Sequence, residues 1–185
     1  MKVLVLSMTA GQGHNSAGNA LKQYMEKKGH EVSVMDTYKF LNKAIGEGWD
    51  KGYSFMGRFV PKLKEDIYEQ AMKKNGAKDM KAYFPFVFTD LFKSKMVKYL
   101  EKEKPDAIVC TIVFTAILVT QIKDAIGLDP KIKTYGIVTD YALHPFWEFT
   151  KMDYFITVNE LLTPTLNMRG IPTEKILPIG IPVRE

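Results

Sequence analysis

The chain has 185 residues, 46% hydrophobic and 25% charged, which suits one folded domain and excludes a disordered polymer. Its 26 basic and 21 acidic residues leave a charge of +5, too small an excess to define a nucleic-acid-binding protein, and no RNA- or DNA-binding motif accompanies it. One cysteine, Cys110, excludes an internal disulfide and a cysteine zinc cluster, and points to a reducing, cytoplasmic setting.

The chain opens on Val3-Leu4-Val5-Leu6, a β-branched and leucine run typical of a strand buried in a parallel sheet. With one lysine before it and so short an apolar run, it does not read as a signal peptide. Thr9 to Gly13 breaks the strand. A helix follows from about His14 to Lys28, with Ala17, Ala20, Leu21, Tyr24 and Met25 on one stripe. Gly29 is placed to end it as a left-handed cap. Val32 to Met35 reads as a second strand, ending at Asp36.

Residues 37–104 change character. They hold 15 Lys and Arg against 9 Asp and Glu, and 13 of the 22 aromatic residues. Helix is expected at 63–73 and 89–102. Such a segment, interrupting a sheet whose other connections are short, reads as a functional insertion. Its Lys and Arg would attract anionic lipid headgroups and its aromatics would enter the headgroup boundary, with Trp49, Phe55, Arg58 and Phe59 forming the membrane patch. A helical hairpin with inward-packed aromatics is the alternative.

Beyond 104 the alternation resumes. Ala107 to Thr111 is a strand, and 107–120 is the most apolar stretch, well short of the roughly 20 apolar residues a membrane span needs. A helix from about Phe114 to Ile126 ends near Gly127. Strands follow at 133–138, 154–158 and 175–179, with a helix at 160–169 interrupted by Pro164 and closed by Gly170. Strands alternating with helices imply right-handed crossovers. The fold class is therefore α/β, a Rossmann-like parallel sheet with helices on both faces, forming one domain over 1–185 with an insertion at about 37–104.

Two constellations can carry chemistry. Gly11-Gln12-Gly13-His14 lies between the first strand and first helix, which puts it in the crevice at the carboxyl ends of the strands. Glycines allow a ligand close to the backbone, and the helix start offers free N–H groups. An imidazolium is disfavoured beside that positive end, so His14 should be neutral and able to accept a proton. A tight turn carrying an exposed histidine is the plainer reading. The same glycines partly fit a dinucleotide fingerprint, with Asp36 where a ribose-binding acid would stand, but Ser16 occupies its third position. The second constellation is Thr139-Asp140 with His144 and Trp147, on the loop leaving a later strand. Asp140 points toward the crevice, and His144 and Trp147 suit acceptor binding. Core packing of Phe146 and Trp147 is the alternative.

Three segments, Ser7 to Leu21 around Gly11-Gln12-Gly13-His14, Val138 to Trp147, and Gly170 to Ile176 closing in Gly180-Ile181-Pro182-Val183-Arg184, together resemble the monogalactosyldiacylglycerol synthase family, which includes bacterial processive diacylglycerol glucosyltransferases. The family often shows His-Pro after the third strand, where this chain has Ile112-Val113. The resemblance implies the N-terminal, acceptor-binding half of a glycosyltransferase B fold, without its C-terminal donor domain. It implies an enzyme that transfers a hexose from a UDP-sugar to diacylglycerol with inversion, peripheral on the inner face of the membrane, although half a transferase should itself turn over negligibly. His14 and Asp140 are then the catalytic candidates, His14 as the base and Asp140 either as base or as the group that orients His14, with Gly11, Gln12 and Gly13 the donor-diphosphate loop, and His144 and Trp147 the acceptor contacts. Neither metal nor cofactor is required, since backbone amides at a helix start can stabilise the leaving diphosphate. A non-catalytic lipid-surface module and a nucleotide-binding Rossmann protein are the competing classes.

Overall fold

The computed structural model describes residues 1–8, 12–41, 84–140 and 143–183, with backbone alone at Gln12, Tyr38 and 84–92. Six parallel strands form one sheet in the order β2-β1-β3-β4-β5-β6. They are β1 (Lys2–Ser7), β2 (Glu31–Asp36), β3 (Ala107–Cys110), β4 (Lys133–Ile137), β5 (Tyr154–Ile156) and β6 (Ile176–Leu177). The helices are α1 (Gln12–Lys27), α2 (Thr37–Leu41), α3 (Phe84–Glu103), α4 (Val113–Ile126) and α5 (Thr163–Met168).

Side-chain alternation divides the core in two. Val3, Val5 and Val109 face the side covered by α1, where Leu21 and Met25 pack on them. Leu4, Leu6, Ile108 and Cys110 face the other side, against Met96 and Leu100 of α3 and Ala116 to Ile122 of α4. Both faces are thus buried, which is why β1 and β3 read as continuous apolar runs. Helix α1 lies close on β1 because residue 18 is glycine: a Cβ there would stand 3.2 Å from Val5 Cγ1 and 3.6 Å from Thr111 Cγ2. This close approach is the role a dinucleotide fingerprint gives its third glycine, here two residues later than Ser16.

The helix stops are where glycine reads them. Gly29 has φ +82, with its N–H on Glu26 O and that of His30 on Met25 O. Gly170 has φ +81 and the same paired pattern, to Asn167 O and Leu166 O. These are Schellman motifs, which need a left-handed residue at that point. Pro164 does not break a longer helix: residues 160–162 form a 3₁₀ turn, and Pro164 lies in the first turn of α5, where its missing N–H costs nothing. The last strand is shorter than expected, Ile176–Leu177 alone.

The chain steps from β1 outward to β2, then returns past β1 to β3 and runs the other way through β4. The topology therefore reverses between β1 and β3. In open α/β sheets that point, at the carboxyl ends of the strands, is where ligands bind. Of the insertion, residues 42–83 lie outside the described residues, as do the helix expected at 63–73 and the patch Trp49, Phe55, Arg58 and Phe59. The described flanks tie down its ends. The Lys95 ammonium donates to the carbonyls of Phe40 and Leu41, and Tyr99 meets Phe40 edge-on at 5.1 Å. Helix α3 runs antiparallel to the strands, so its first turn and α2 both lie toward the crevice edge.

Candidate active site at the sheet's switch point

The site begins with the strand ends. Ser7 closes β1, Thr111 follows β3 and Thr139 follows β4, each a small hydroxyl residue just past the last apolar position. The buried Ser7 hydroxyl donates to Asn15 Oδ1 at 2.6 Å, and Asn19 Nδ2 donates to the Asn15 carbonyl at 2.9 Å. The first of these bonds ties the first turn of α1 to the end of β1, and the second lies within α1. The side chain of His14 is thereby held over β3 and β4.

His14 is half-buried. Its Nδ1 lies 2.9 Å from the backbone carbonyl of Thr111 and 2.7 Å from Oγ1 of Thr139. A carbonyl can only accept, so this contact is a hydrogen bond only when Nδ1 carries the proton. In the neutral ring Nε2 then holds the lone pair, and among the described residues nothing hydrogen-bonds to it. The ring sits beside the positive end of a 16-residue helix. A histidine so placed can take a proton from a hydroxyl brought to Nε2.

The other expected site residues divide. Gly11 lies outside the described residues. Gln12 opens α1, and Gly13 is exposed, with nothing within 4 Å of where a Cβ would be. The start of α1 is therefore open to a ligand. Asp140 is exposed on the rim, next to Thr139, and makes no hydrogen bond or ion pair among the described residues. As the group that orients His14 it is replaced by its neighbour: Thr139 holds the imidazole and the Asp140 carboxylate does not.

The loop beyond requires a larger correction. Trp147 does not face an acceptor. It is 2% exposed, sits over Gly136 of β4 and meets Phe155 of β5 edge-on at 5.9 Å. A 3₁₀ turn at 145–149, begun by Pro145, swings Phe146 and Trp147 back into the core. His144 caps that turn: its Nδ1 accepts from the Phe146 N–H at 3.3 Å, and its ring stands edge-on to Phe146 at 4.7 Å. It is half-buried and makes no hydrogen bond to His14.

Ile112, where the family often has histidine, is 8% exposed and belongs to the α4-side core. It begins α4 with no side-chain cap, and the Thr115 hydroxyl donates to its carbonyl at 2.8 Å instead. Cys110, just below Thr111, is no nucleophile. Burial pushes its thiol up to about 12, and a hydrogen bond with Thr115 only partly offsets this. Among the described residues no three His, Cys, Asp or Glu side chains are grouped to hold a metal ion, and no helix is long and apolar enough to cross a membrane.

Motif reading passes over Thr111 and, although Ser7 and Thr139 lie inside the motif segments, assigns those two no role. Their signal is positional: each is the hydroxyl residue that terminates a buried strand at one edge of the sheet. That pattern appears only once the strands are known to be parallel and adjacent.

The lipopolysaccharide outer core galactosyltransferase WaaB, in its apo form, superposes with a TM-score of 0.52 at 12% identity, covering 95% of this chain and 44% of that one. The fold is that of a Rossmann-like half of a glycosyltransferase B protein. The chain belongs to the monogalactosyldiacylglycerol (MGDG) synthase family, whose model matches residues 14–183. Similar curated proteins are the processive diacylglycerol beta-glucosyltransferases of Bacillus mycoides (strain KBAB4), 26% identical over 185 residues, and of Bacillus cytotoxicus (strain DSM 22905 / CIP 110041 / 391-98 / NVH 391-98), 25% identical over 186 residues. The alignments cover 99% and 100% of this chain but 45% of each relative, so the chain spans under half their length.

Proposed function

We propose that this chain is the acceptor-binding, N-terminal domain of an inverting glycosyltransferase that moves a hexose from a UDP-sugar to the free hydroxyl of diacylglycerol. The observation that carries this reading is His14: half-buried at the switch point, its Nδ1 facing the Thr111 carbonyl and the Thr139 hydroxyl, and its Nε2 without a hydrogen bond among the described residues. An attacking alcohol must lose its proton as it bonds to the anomeric carbon, and a base within about 3 Å is needed. His14 meets that need in a family named for the synthesis of monogalactosyldiacylglycerol.

The start of α1, with Gly11, Gln12 and Gly13, faces the donor diphosphate, whose negative charge its free N–H groups favour. Asp140, on the rim, is the second candidate base. His144 remains on the acceptor side of the crevice. The insertion, with Trp49, Phe55, Arg58 and Phe59, docks on an anionic leaflet and admits the lipid, while a separate C-terminal domain supplies most of the UDP-sugar site. No cofactor takes part.

The dinucleotide-binding reading is weaker for a specific reason. The Asp36 carboxylate is already engaged: Oδ1 accepts the Lys39 N–H at 3.1 Å, and the Lys39 ammonium lies 3.5 Å from Oδ2. It caps α2 rather than awaiting a ribose.

The test is kinetic, in a full-length relative. Replacing the histidine that matches His14 by alanine is expected to lower kcat by about 10²–10⁴, the range for loss of a positioned base. Retention of most of kcat would remove His14 from that role.

A further inference from the structure

We propose that Thr139 is a positioning residue which, with the Thr111 carbonyl, locks His14 in one tautomer and one orientation, making Nε2 the atom that receives the proton. The proposal deepens the reading of His14 as the base and rests on it.

The argument starts from atoms. Imidazole has two nitrogens, and a neutral ring protonates one of them. The nitrogen that carries the proton is decided by what the other atoms in reach can do. Here Nδ1 has two oxygens within reach, at 2.9 and 2.7 Å. The Thr111 oxygen is a carbonyl at the end of a buried strand and cannot donate. A bare Nδ1 would set lone pair against lone pair at 2.9 Å, so the Nδ1–H form is favoured. The Thr139 hydroxyl can turn to accept as well, and the Nδ1–H is then shared between the two oxygens.

Orientation follows from the same pair. One partner follows β3 and the other follows β4, strands paired through Cys110 and Gly136. The ring is therefore held from two neighbouring strands, while α1 holds its Cα. Among the described residues nothing engages Nε2, which is the nitrogen left to meet a ligand. In the transfer step the acceptor O–H proton passes to Nε2, the acceptor oxygen bonds to the anomeric carbon, and the carbon–oxygen bond to the diphosphate breaks with its electron pair leaving on UDP. His14 is then an imidazolium whose Nδ1–H still points at a carbonyl dipole, which favours the cation formed in the step. The departure at Ile112 fits this arrangement: a buried aliphatic there offers His14 no hydrogen bond, and the anchors are instead the backbone of Thr111 and the side chain of Thr139.

The test uses the 185-residue chain itself, with ¹⁵N-labelled histidine. Long-range ¹H–¹⁵N correlation spectra at a pH where the ring is neutral separate the two tautomers, and His30→Gln and His144→Asn variants assign the three rings. The expected wild-type pattern is a protonated Nδ1 and a bare Nε2 for His14. Thr139→Val keeps the shape and removes the hydroxyl, and should shift the His14 Nδ1 resonance and mix the tautomers. Thr139→Ser should restore the wild-type pattern. A bare Nδ1 in the wild type, or a His14 spectrum unmoved by Thr139→Val, overturns the proposal. In a full-length relative with threonine at this position, the Val variant should lose about tenfold in kcat with KM little changed, the worth of one hydrogen bond. The two readings fail separately. A correct tautomer with full activity after loss of the His14 side chain keeps the lock and removes the base. A wrong tautomer with activity lost keeps the base and removes the lock.

Discussion

The loop entering α1 and the loop leaving β4 reach the same edge of the sheet, carry similar residues and do opposite things. Each places a histidine a few residues past a strand end. The first keeps His14 at the mouth of the crevice because a helix of four turns starts there and its axis runs away from the site. The second is drawn inward, because Pro145 starts a 3₁₀ turn, Phe146 is buried and Trp147 finds an open slot over Gly136. Polar residue types at a strand end are therefore not enough to mark a site. What matters is whether an aromatic further along can bury itself and take the loop with it.

The contrast can be tested directly, most forcefully at Trp147. Trp147→Ala is expected to cost about 3–5 kcal/mol of stability, read as a lower urea midpoint at unchanged slope. A loss below about 1 kcal/mol would return Trp147 to the surface and to an acceptor role. Gly136→Ala comes next. Its Cβ would lie 2.6 Å from Trp147 Cζ3 and 3.1 Å from Cη2, so the indole must shift, at about 1–3 kcal/mol. In the Trp147→Ala background that penalty should largely vanish, and a double-mutant cycle that came out additive would refute the contact.

His14→Ala belongs on the other side of the comparison. Its cost in stability should stay under about 1 kcal/mol, although it removes the proposed chemistry. A large stability loss would make His14 a packing residue.

The smallest effect lies away from the crevice, where Asp153 joins β5 to β4 and α4. Burial would raise its pKa, but the side-chain and backbone hydrogen bonds from Thr134, both at 2.8 Å, and the nearby Lys123 ammonium outweigh it and hold the carboxyl below its usual range. A lowered native pKa stabilises the fold above the unfolded value, near 3.9, and that contribution is lost as pH falls through the native value. Asp153→Asn should therefore flatten the acid limb of the stability profile and leave its alkaline limb unchanged. An unaltered acid limb would show that the carboxylate is not coupled to folding.

Much of the fold is legible without coordinates. The apolar runs at β1 and β3, the stripe on α1 and the stops at Gly29 and Gly170 follow from side-chain period and from backbone freedom, which act within a few residues. Strand and helix alternation then leaves few topologies. His14 is legible for the same reason, since a glycine turn between strand and helix has one place in such a sheet. Trp147 is not, because residue type cannot say whether an indole lies over a glycine on a strand eleven residues earlier. Nor is Thr139, whose importance comes from a partner 125 positions away.

Taken alone, the order of residues determined the class of fold, the edge that carries the candidate site and the histidine that stands there, because periodicity, turn chemistry and crossover handedness are local rules. Only tertiary structure decided which neighbours hold that histidine, which of its nitrogens faces them, and that Trp147 of the second loop plugs the core. Hydrogen bonds and close packing depend on distances of a few tenths of an ångström between segments far apart in the chain, and no local pattern carries that information.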